Sequence, residues 1–351
     1  MTATRPAPPS RALLGRSTAR VVLIGLAALL VWGIWRPLPR HGAATPEART
    51  DSALYAAVIE RVARGEPYYQ VMADELPRRG YPTGSVFNWR PPTLTLMLAR
   101  ARVVSFVVLL ALVIAVIGGT LRLFYRESPE IMLFALMMQV GAAASAFNPL
   151  ALVLHETWAG LCIALSALLY AFKRFVPAAI VVVAGLFIRE LVAPYALACA
   201  LIAIYRRRRD ETAVLVVGGI AWLLFYGWHA MAAREAMTAG ALQHPSWIQW
   251  GGPRFVLAAI GFGGWLYLLP PWVAAVAATL LAASAWSPMP VTHARVGALI
   301  YALFFMVAGQ AFNQYWGWLV APTWTIGYGL GAAGVVRLVR SAFPTRAMHP
   351  P

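Results

Sequence analysis

Charged residues are scarce in this chain. Only 12% of its 351 residues are charged and 60% are hydrophobic, whereas soluble domains typically carry about 25% charged residues. This composition excludes a soluble enzyme of one or two domains and a disordered chain. The apolar runs are continuous rather than alternating, which excludes an outer-membrane β-barrel. The composition therefore predicts a polytopic α-helical membrane protein.

Cysteine and the common nucleotide and metal motifs are also scarce or absent. Cys162 and Cys199 lie singly within apolar runs, so neither a disulfide framework nor a metal site is expected. The sequence has no Walker A motif, no Gly-rich dinucleotide fingerprint and no His-Glu-x-x-His. These absences disfavour ATP-driven transport, zinc proteolysis and a nucleotide-sugar donor. No cofactor is predicted, and dependence on a divalent metal stays open.

The charge that is present is mostly basic. The chain has 28 arginines and one lysine against 13 acidic residues, a net charge of +16. Basic loops flank membrane spans and face anionic lipid, so this excess indicates topology and membrane lipids as partners rather than nucleic acid. With the N-terminus placed in the cytoplasm, Lys173 and Arg206–Arg209 fall on the cytoplasmic side. The charges left within the bilayer are then Glu156, Arg189 and Glu190.

Runs of roughly 20 apolar residues predict the membrane spans. Candidate spans lie at 20–36, 103–122, 130–147, 149–172, 212–231, 255–286, 296–313 and 315–338. The run 175–205 is predicted to leave and return with a turn near Arg189, and 255–286 to break at Gly263-Gly264 and Pro270-Pro271. The predicted fold is all-α, a transmembrane bundle of about ten segments. Its parts are a cytoplasmic tail (1–19), the first span (20–36), an extracytoplasmic loop (37–102), the main bundle (103–338) and a cytoplasmic C-terminal tail (339–351).

The loop 37–102 is the only extended polar stretch. Leu54, Val58 and Val62 form an apolar stripe at helical spacing within 51–63. Gly65-Glu66-Pro67 is expected to end that helix, and a second short helix is expected from Tyr68 to about Arg79. Such amphipathic helices suit the outer bilayer interface, where they would cap the spans.

Several fragments of this region occur in a recognisable order. They are Asp51-x-x-x-Tyr55, Gly65-x-Pro67-Tyr68-Tyr69 and Phe87-Asn88-x-Arg90-Pro91-Pro92. Over residues 20–100 the pattern resembles the GT-C superfamily of integral membrane glycosyltransferases, and in particular glycosyltransferase family 87. The resemblance implies a GT-C-like bundle and a polyprenyl-phosphate sugar as the donor, with mannose as the sugar that family 87 suggests. Many GT-C enzymes carry an acidic pair at the first-loop position, but here Ser52 follows Asp51, so a metal-binding pair is not supported.

Asp51 is the candidate general base. Transfer from a lipid phosphate needs a carboxylate to take the acceptor proton, and the phosphate is already a good leaving group. A single carboxylate suffices for inversion, whereas two flanking carboxylates are typical of hydrolases. The alternative is that Asp51 caps the helix that starts there.

The intramembrane charges are the next candidates. Arg189 is the first choice to bind the donor phosphate, because guanidinium matches phosphate oxygens in pairs. His155, Glu156 and Glu190 could position the sugars. The alternative is a structural pair between Arg189 and Glu156. Adjacent helical residues point about 100° apart, so Arg189 and Glu190 are expected to have different partners.

Arg90 is a second phosphate candidate, with a snorkelling interfacial arginine as its alternative. Tyr55, Tyr69 and Trp89 could contact sugar faces, although an aromatic belt is the default at this depth. His244, in the loop 232–254 with Trp247 and Trp250, could contact the acceptor.

Together these residues predict a multi-pass inner-membrane glycosyltransferase whose site faces away from the cytoplasm. Its partners would be a polyprenyl-phosphate sugar donor and a lipid or glycan acceptor. The alternative is a secondary transporter or lipid flippase that uses Glu156, Arg189 and Glu190. Against it stands the lack of a detectable internal repeat. A scaffold or assembly role is not excluded by the sequence.

Overall fold

A computed structural model of the chain describes residues 14–36, 46–237, 246–309 and 311–344. In these ranges the chain is helical, and its β-structure is a single bridge between Ile248 and Ala308. The α-helices are α1 (Arg16–Trp35), α2 (Pro46–Ala63), α3 (Tyr68–Arg78), α4 (Pro92–Arg100), α5 (Arg102–Phe124), α6 (Pro129–Ala144), α7 (Pro149–Leu152), α8 (His155–Ala171), α9 (Phe175–Ile188), α10 (Ala193–Tyr205), α11 (Arg209–Ala236), α12 (Gly252–Gly261), α13 (Val273–Ala283), α14 (Thr292–Val307) and α15 (Gly317–Ala342). Short 3₁₀ segments lie at Val86–Asn88, Ser145–Phe147, Glu190–Val192, Gly264–Leu268, Ser284–Trp286 and Ala311–Trp316.

By length and composition, five helical segments of the described chain could cross a membrane. They are Arg16–Trp35, Arg102–Phe124, Pro129–Phe147, Arg209–Ala236 and Phe312–Ala342. Shorter apolar helices lie at Phe175–Ile188, Glu190–Tyr205, Gly252–Gly261, Val273–Trp286 and Thr292–Val307. The all-helical fold is confirmed, and the number of spans stays a prediction.

Helix α15 forms the centre of the bundle. It packs against α1, α6, α8, α13 and α14, and most of its length is buried. Small residues make this possible: a Cβ placed on Gly331 would lie 1.9 Å from the Leu280 carbonyl oxygen. Without a hydrophobic force between helices in lipid, such close backbone contact is a main source of packing energy.

The run 175–205 is a helical pair, as predicted. Helix α9 ends at Ile188, Arg189 is extended, and α10 begins after one 3₁₀ turn. The Arg208 guanidinium lies 3.7 Å from the Phe175 ring centre, so the chain has returned to the end at which α9 starts. The predicted break in 255–286 is confirmed too, because α12 ends at Gly261 and α13 begins at Val273.

Two predicted boundaries are wrong. The span proposed at 149–172 is divided, since α7 ends at Leu152 and α8 begins at His155. His155 and Glu156 therefore lie in the first turn of α8 rather than more than one turn into a span. The helix proposed at 51–63 begins earlier, at Pro46. Asp51 consequently lies inside α2, and its interpretation as the N-cap is wrong.

The helices of the segment 46–100 dock on the bundle. Leu54, Val58 and Val62 are buried, as the stripe predicts, and α2 packs against α3, α4 and α7. Arg61 joins α2 to α3 through ion pairs with Glu66, Asp74 and Glu75, at 2.6, 3.1 and 3.0 Å. Helix α3 also packs on α11.

Candidate functional site

Asp51, in α2, is buried against Tyr81 and the segment that leads into α15. The hydroxyl of Tyr81 donates to its Oδ1, and the Tyr315 hydroxyl donates to its Oδ2 at 2.8 Å. Burial raises the pKa of the Asp51 carboxyl above its ordinary value, while the charge of Arg90 and the two tyrosine hydrogen bonds oppose this. The carboxyl is thus fixed in orientation and holds a proton more readily than an exposed aspartate does.

Arg90 is also buried, with 5% of its surface exposed. Its backbone carbonyl accepts a hydrogen bond of 2.5 Å from the Tyr68 hydroxyl, and its guanidinium donates to the Phe87 carbonyl. Within the described ranges its Nε has no hydrogen-bond partner and its side chain forms no ion pair. Arg90 is therefore not a snorkelling interfacial arginine, and its charge is available to an anionic ligand.

Arg189 is held by two carboxylates. Its Nε donates to Glu156 Oε1 at 3.0 Å, and its Nη1 contacts Glu190 Oε1. The structural pair left open by the sequence is present. The expectation that Arg189 and Glu190 have different partners is wrong, because Arg189 is extended (φ −151°, ψ 122°) and the helical angle between neighbours does not apply.

A cavity of about 220 Å³ lies beside these groups, and we call it the arginine cavity. Its charged lining is Arg90, Arg189 and Glu190. Its remaining walls are apolar or aromatic and include Phe87, Trp247, Phe304 and Trp316. Its lining thus combines charged side chains with apolar and aromatic walls.

Asp51 adjoins the arginine cavity without lining it. Its partner Tyr315 is followed directly by Trp316, which forms part of the cavity wall. Asp51 also interacts electrostatically with Arg90 and Glu156. The structure therefore brings Asp51, Arg90, Glu156, Arg189 and Glu190 into one neighbourhood, although they are spread over 140 residues of sequence.

His155 and Tyr55 lie close to the charged groups but do not line the arginine cavity. His155 is buried, with Nε2 3.3 Å from the Pro91 carbonyl oxygen, next to Arg90. The Tyr55 ring meets the His155 ring edge-on, at 5.4 Å between centres. Both residues pack behind the charged groups.

Two aromatic candidates do not face the cavity, and one residue cannot be placed. Trp89 is 1% exposed and donates from Nε1 to the Thr83 carbonyl at 3.0 Å. The prediction that its ring contacts a sugar face is therefore wrong. The Tyr69 hydroxyl bonds His229 Nδ1 at 2.9 Å; it does not contact the cavity. His244 lies outside the described residues.

Sequence reasoning missed Tyr81 and the role of Tyr315. Tyr81 lies in a turn-rich stretch between Gly80 and Gly84, and Tyr315 lies beside Trp316 at the start of the predicted span 315–338. A tyrosine in such places is common, and no local pattern marks it as the partner of an aspartate 30 or 264 residues away. Among the residues described, no group of three His, Cys, Asp or Glu side chains could hold a metal ion.

No protein-family model, curated protein or solved structure matches this chain.

Proposed function

We propose that this protein is a membrane glycosyltransferase. It moves a sugar, with mannose the first candidate, from a polyprenyl-phosphate donor to an extracytoplasmic lipid or glycan acceptor. The observation that carries the proposal is the arginine cavity, which has Arg90 in its lining and lies close to a buried, tyrosine-bound aspartate. The proposal also draws on the resemblance of residues 20–100, which include Asp51 and Arg90, to glycosyltransferase family 87.

The donor matches the cavity in both of its parts. A polyprenyl phosphate has an anionic head and an apolar tail, and a guanidinium binds phosphate through charge-assisted hydrogen bonds. Arg90 is the stronger candidate for that contact, because Arg189 is already neutralised by Glu156 and Glu190. Arg189 then contributes by holding α8 against the α9–α10 turn. The aromatic walls suit the first part of the polyprenyl chain.

The proposed reaction is a single inverting displacement. The acceptor hydroxyl oxygen attacks the anomeric carbon, and the bond from that carbon to the phosphate oxygen breaks. The departing polyprenyl phosphate takes the electron pair, and the Asp51 carboxylate takes the acceptor proton. The raised pKa of Asp51 suits a base that must accept a proton during the reaction.

The test compares two carboxylate deletions on the same helix. Purified protein in proteoliposomes receives radiolabelled polyprenyl-phosphate mannose and an envelope extract as the acceptor source. Asp51→Asn should lower turnover by at least about 100-fold, the usual range for a lost general base. Glu60→Gln removes a carboxylate from the exposed face of α2 and should retain wild-type turnover. Wild-type turnover in Asp51→Asn would refute the assignment of the base.

The same proteoliposomes test a secondary transporter or flippase. This alternative is favoured by one observation, the helix break at Arg189 flanked by two carboxylates, because broken helices carry the substrate sites of many transporters. A transferase should release polyprenyl phosphate and move no solute or lipid across the bilayer. Flux without sugar transfer would favour the transporter.

A further inference from the structure

A second cavity is lined by residues close to those that contact Asp51 and its neighbour Ser52. Its volume is about 330 Å³, and we call it the aromatic cavity. The residues that matter for the argument are Ser145, Asn148, Leu150, Trp265, Tyr267 and Trp318. Neither the proposed donor nor the proposed base occupies it.

Two connections place the aromatic cavity next to Asp51. The Ser52 hydroxyl, adjacent to Asp51, donates to the Leu150 carbonyl at 2.8 Å, and Leu150 lines the cavity. The second connection runs through Tyr315. Its hydroxyl binds Asp51, and Trp318, three residues later in the sequence, lines the cavity. Trp316, between them in sequence, lines the arginine cavity. Asp51 and its neighbour Ser52 are therefore connected, through one contact each, to segments that line the two cavities.

The two cavities differ in charge. The arginine cavity is lined by Arg90, Arg189 and Glu190. The described lining of the aromatic cavity contains no charged side chain, and its polar members are amide, hydroxyl and indole groups. Binding sites of this kind fix a neutral ligand through a few polar contacts between aromatic walls. An anionic ligand would find no counter-charge here.

One polar group of the cavity has donors left for a ligand. The Oδ1 atom of Asn148 accepts a hydrogen bond from the Leu150 backbone N–H at 2.9 Å. This bond uses one acceptor of the side chain and fixes its orientation, while the amide N–H groups remain as donors. Asn148 is exposed, and so are Trp265 and Leu268 at the rim, with 42% and 72% exposure. The cavity is thus open to the outside of the bundle.

We infer that the aromatic cavity binds the acceptor, and that the acceptor presents an uncharged carbohydrate head. This inference rests on the proposed glycosyltransferase function. The donor phosphate then binds at Arg90, the acceptor sugar binds between Trp265 and Trp318, and Asp51 takes the proton from between them. A glycolipid would enter with its tail in the bilayer, whereas a free glycan would enter from the aqueous side.

The experiment measures binding in nanodiscs without turnover. The probes are radiolabelled polyprenyl phosphate, an alkyl mannoside and methyl mannoside. Ala144→Phe places a ring in the aromatic cavity, and Ala308→Phe does the same in the arginine cavity. Ala144→Leu adds less bulk and serves if Ala144→Phe does not fold, as judged by gel filtration.

Ala144→Phe should weaken mannoside binding by at least about tenfold and leave polyprenyl phosphate binding unchanged, because a filled cavity excludes a sugar ring. Ala308→Phe should do the reverse. Binding of both mannosides indicates a free glycan acceptor, and binding of the alkyl form alone indicates a glycolipid; either supports the inference. Absent mannoside binding, or mannoside affinity unchanged by Ala144→Phe, overturns it. Failure of the proposed function is seen separately, as no release of polyprenyl phosphate by the wild-type protein in the proteoliposome assay.

Discussion

At the scale of single residues, Asp51 shows what local sequence can and cannot predict. Its position after the first span marked it as a candidate, and its burial agrees with a special role. Its interpretation as a helix cap was wrong because Pro46 occupies the first turn, a position that proline tolerates well. Its two tyrosine partners lie 30 and 264 residues away in sequence, and no periodic pattern connects them.

The Asp51 environment predicts a characteristic pH dependence. Because burial raises its pKa, the acidic limb of the kcat/KM profile should lie above the range of an ordinary aspartate, and activity should fall as pH drops through that limb. The Tyr81 hydroxyl donates to the carboxylate and lowers its pKa. Tyr81→Phe should therefore move the limb further up in pH.

The control for this measurement is Tyr205→Phe, which removes a hydroxyl from an exposed ring at the far end of α10. Its profile should match that of the wild type. An acidic limb that is the same in Tyr81→Phe and in the wild type would contradict the role given to Tyr81.

At the scale of elements, the helices with a local amphipathic pattern could be predicted, whereas the features that depend on tertiary contacts could not. The buried stripe of α2 and the helix α3 were predicted because their periodicity is local. The division between α7 and α8 was missed, since 149–172 is apolar throughout and gives no stop signal. The contact between Arg189 and Glu190 was not predicted for the same reason. An extended residue between two apolar helices has no distinct local pattern.

His229 in α11 connects the segment 68–90 to the bundle. Its Nε2 lies 2.7 Å from the Trp89 carbonyl and its Nδ1 2.9 Å from the Tyr69 hydroxyl. Since a carbonyl only accepts, Nε2 carries the proton and Nδ1 accepts from Tyr69. His229→Phe removes both bonds and should speed hydrogen exchange across α3 and 86–92 by roughly tenfold, each bond being worth about 0.5–1.5 kcal/mol.

The matched variant is His293→Phe. His293 stacks on Tyr170, with 3.6 Å between ring centres, at the opposite end of α8 from the loop. In this variant, hydrogen exchange in α3 should be the same as in the wild type. Equal acceleration of hydrogen exchange in both variants would indicate general destabilisation instead of the loss of the two local His229 hydrogen bonds.

At the scale of the whole molecule, composition was enough to predict the fold class, but it could not predict which helices pack against each other. Scarce charge and long apolar runs predicted an all-helical bundle, which the described chain confirms. The central place of α15 depends on close contacts such as Gly331 against Leu280. These are set by which helices meet, and hydropathy does not determine that.

The charge distribution over the bundle predicts its orientation. Helix α8 starts at His155, next to Glu156 of the candidate site, and runs 17 residues, about 25 Å, to the end that carries Lys173 and Arg174. Helix α10 returns to that same end, where Arg206–Arg209 follow. The basic end should face the cytoplasm, and the Asp51 end should face outward.

Cysteine labelling in intact cells measures this directly. Cys162 and Cys199 are buried, so the background should be low. Glu60→Cys, on the exposed face of α2, should react with a membrane-impermeant maleimide, whereas Arg206→Cys, exposed at the basic end, should react only after the membrane is opened. The reversed pattern would put Asp51 in the cytoplasm. An extracytoplasmic acceptor would then be out of reach, because the lipid-phosphate donor and the base must meet the acceptor on one side of the membrane.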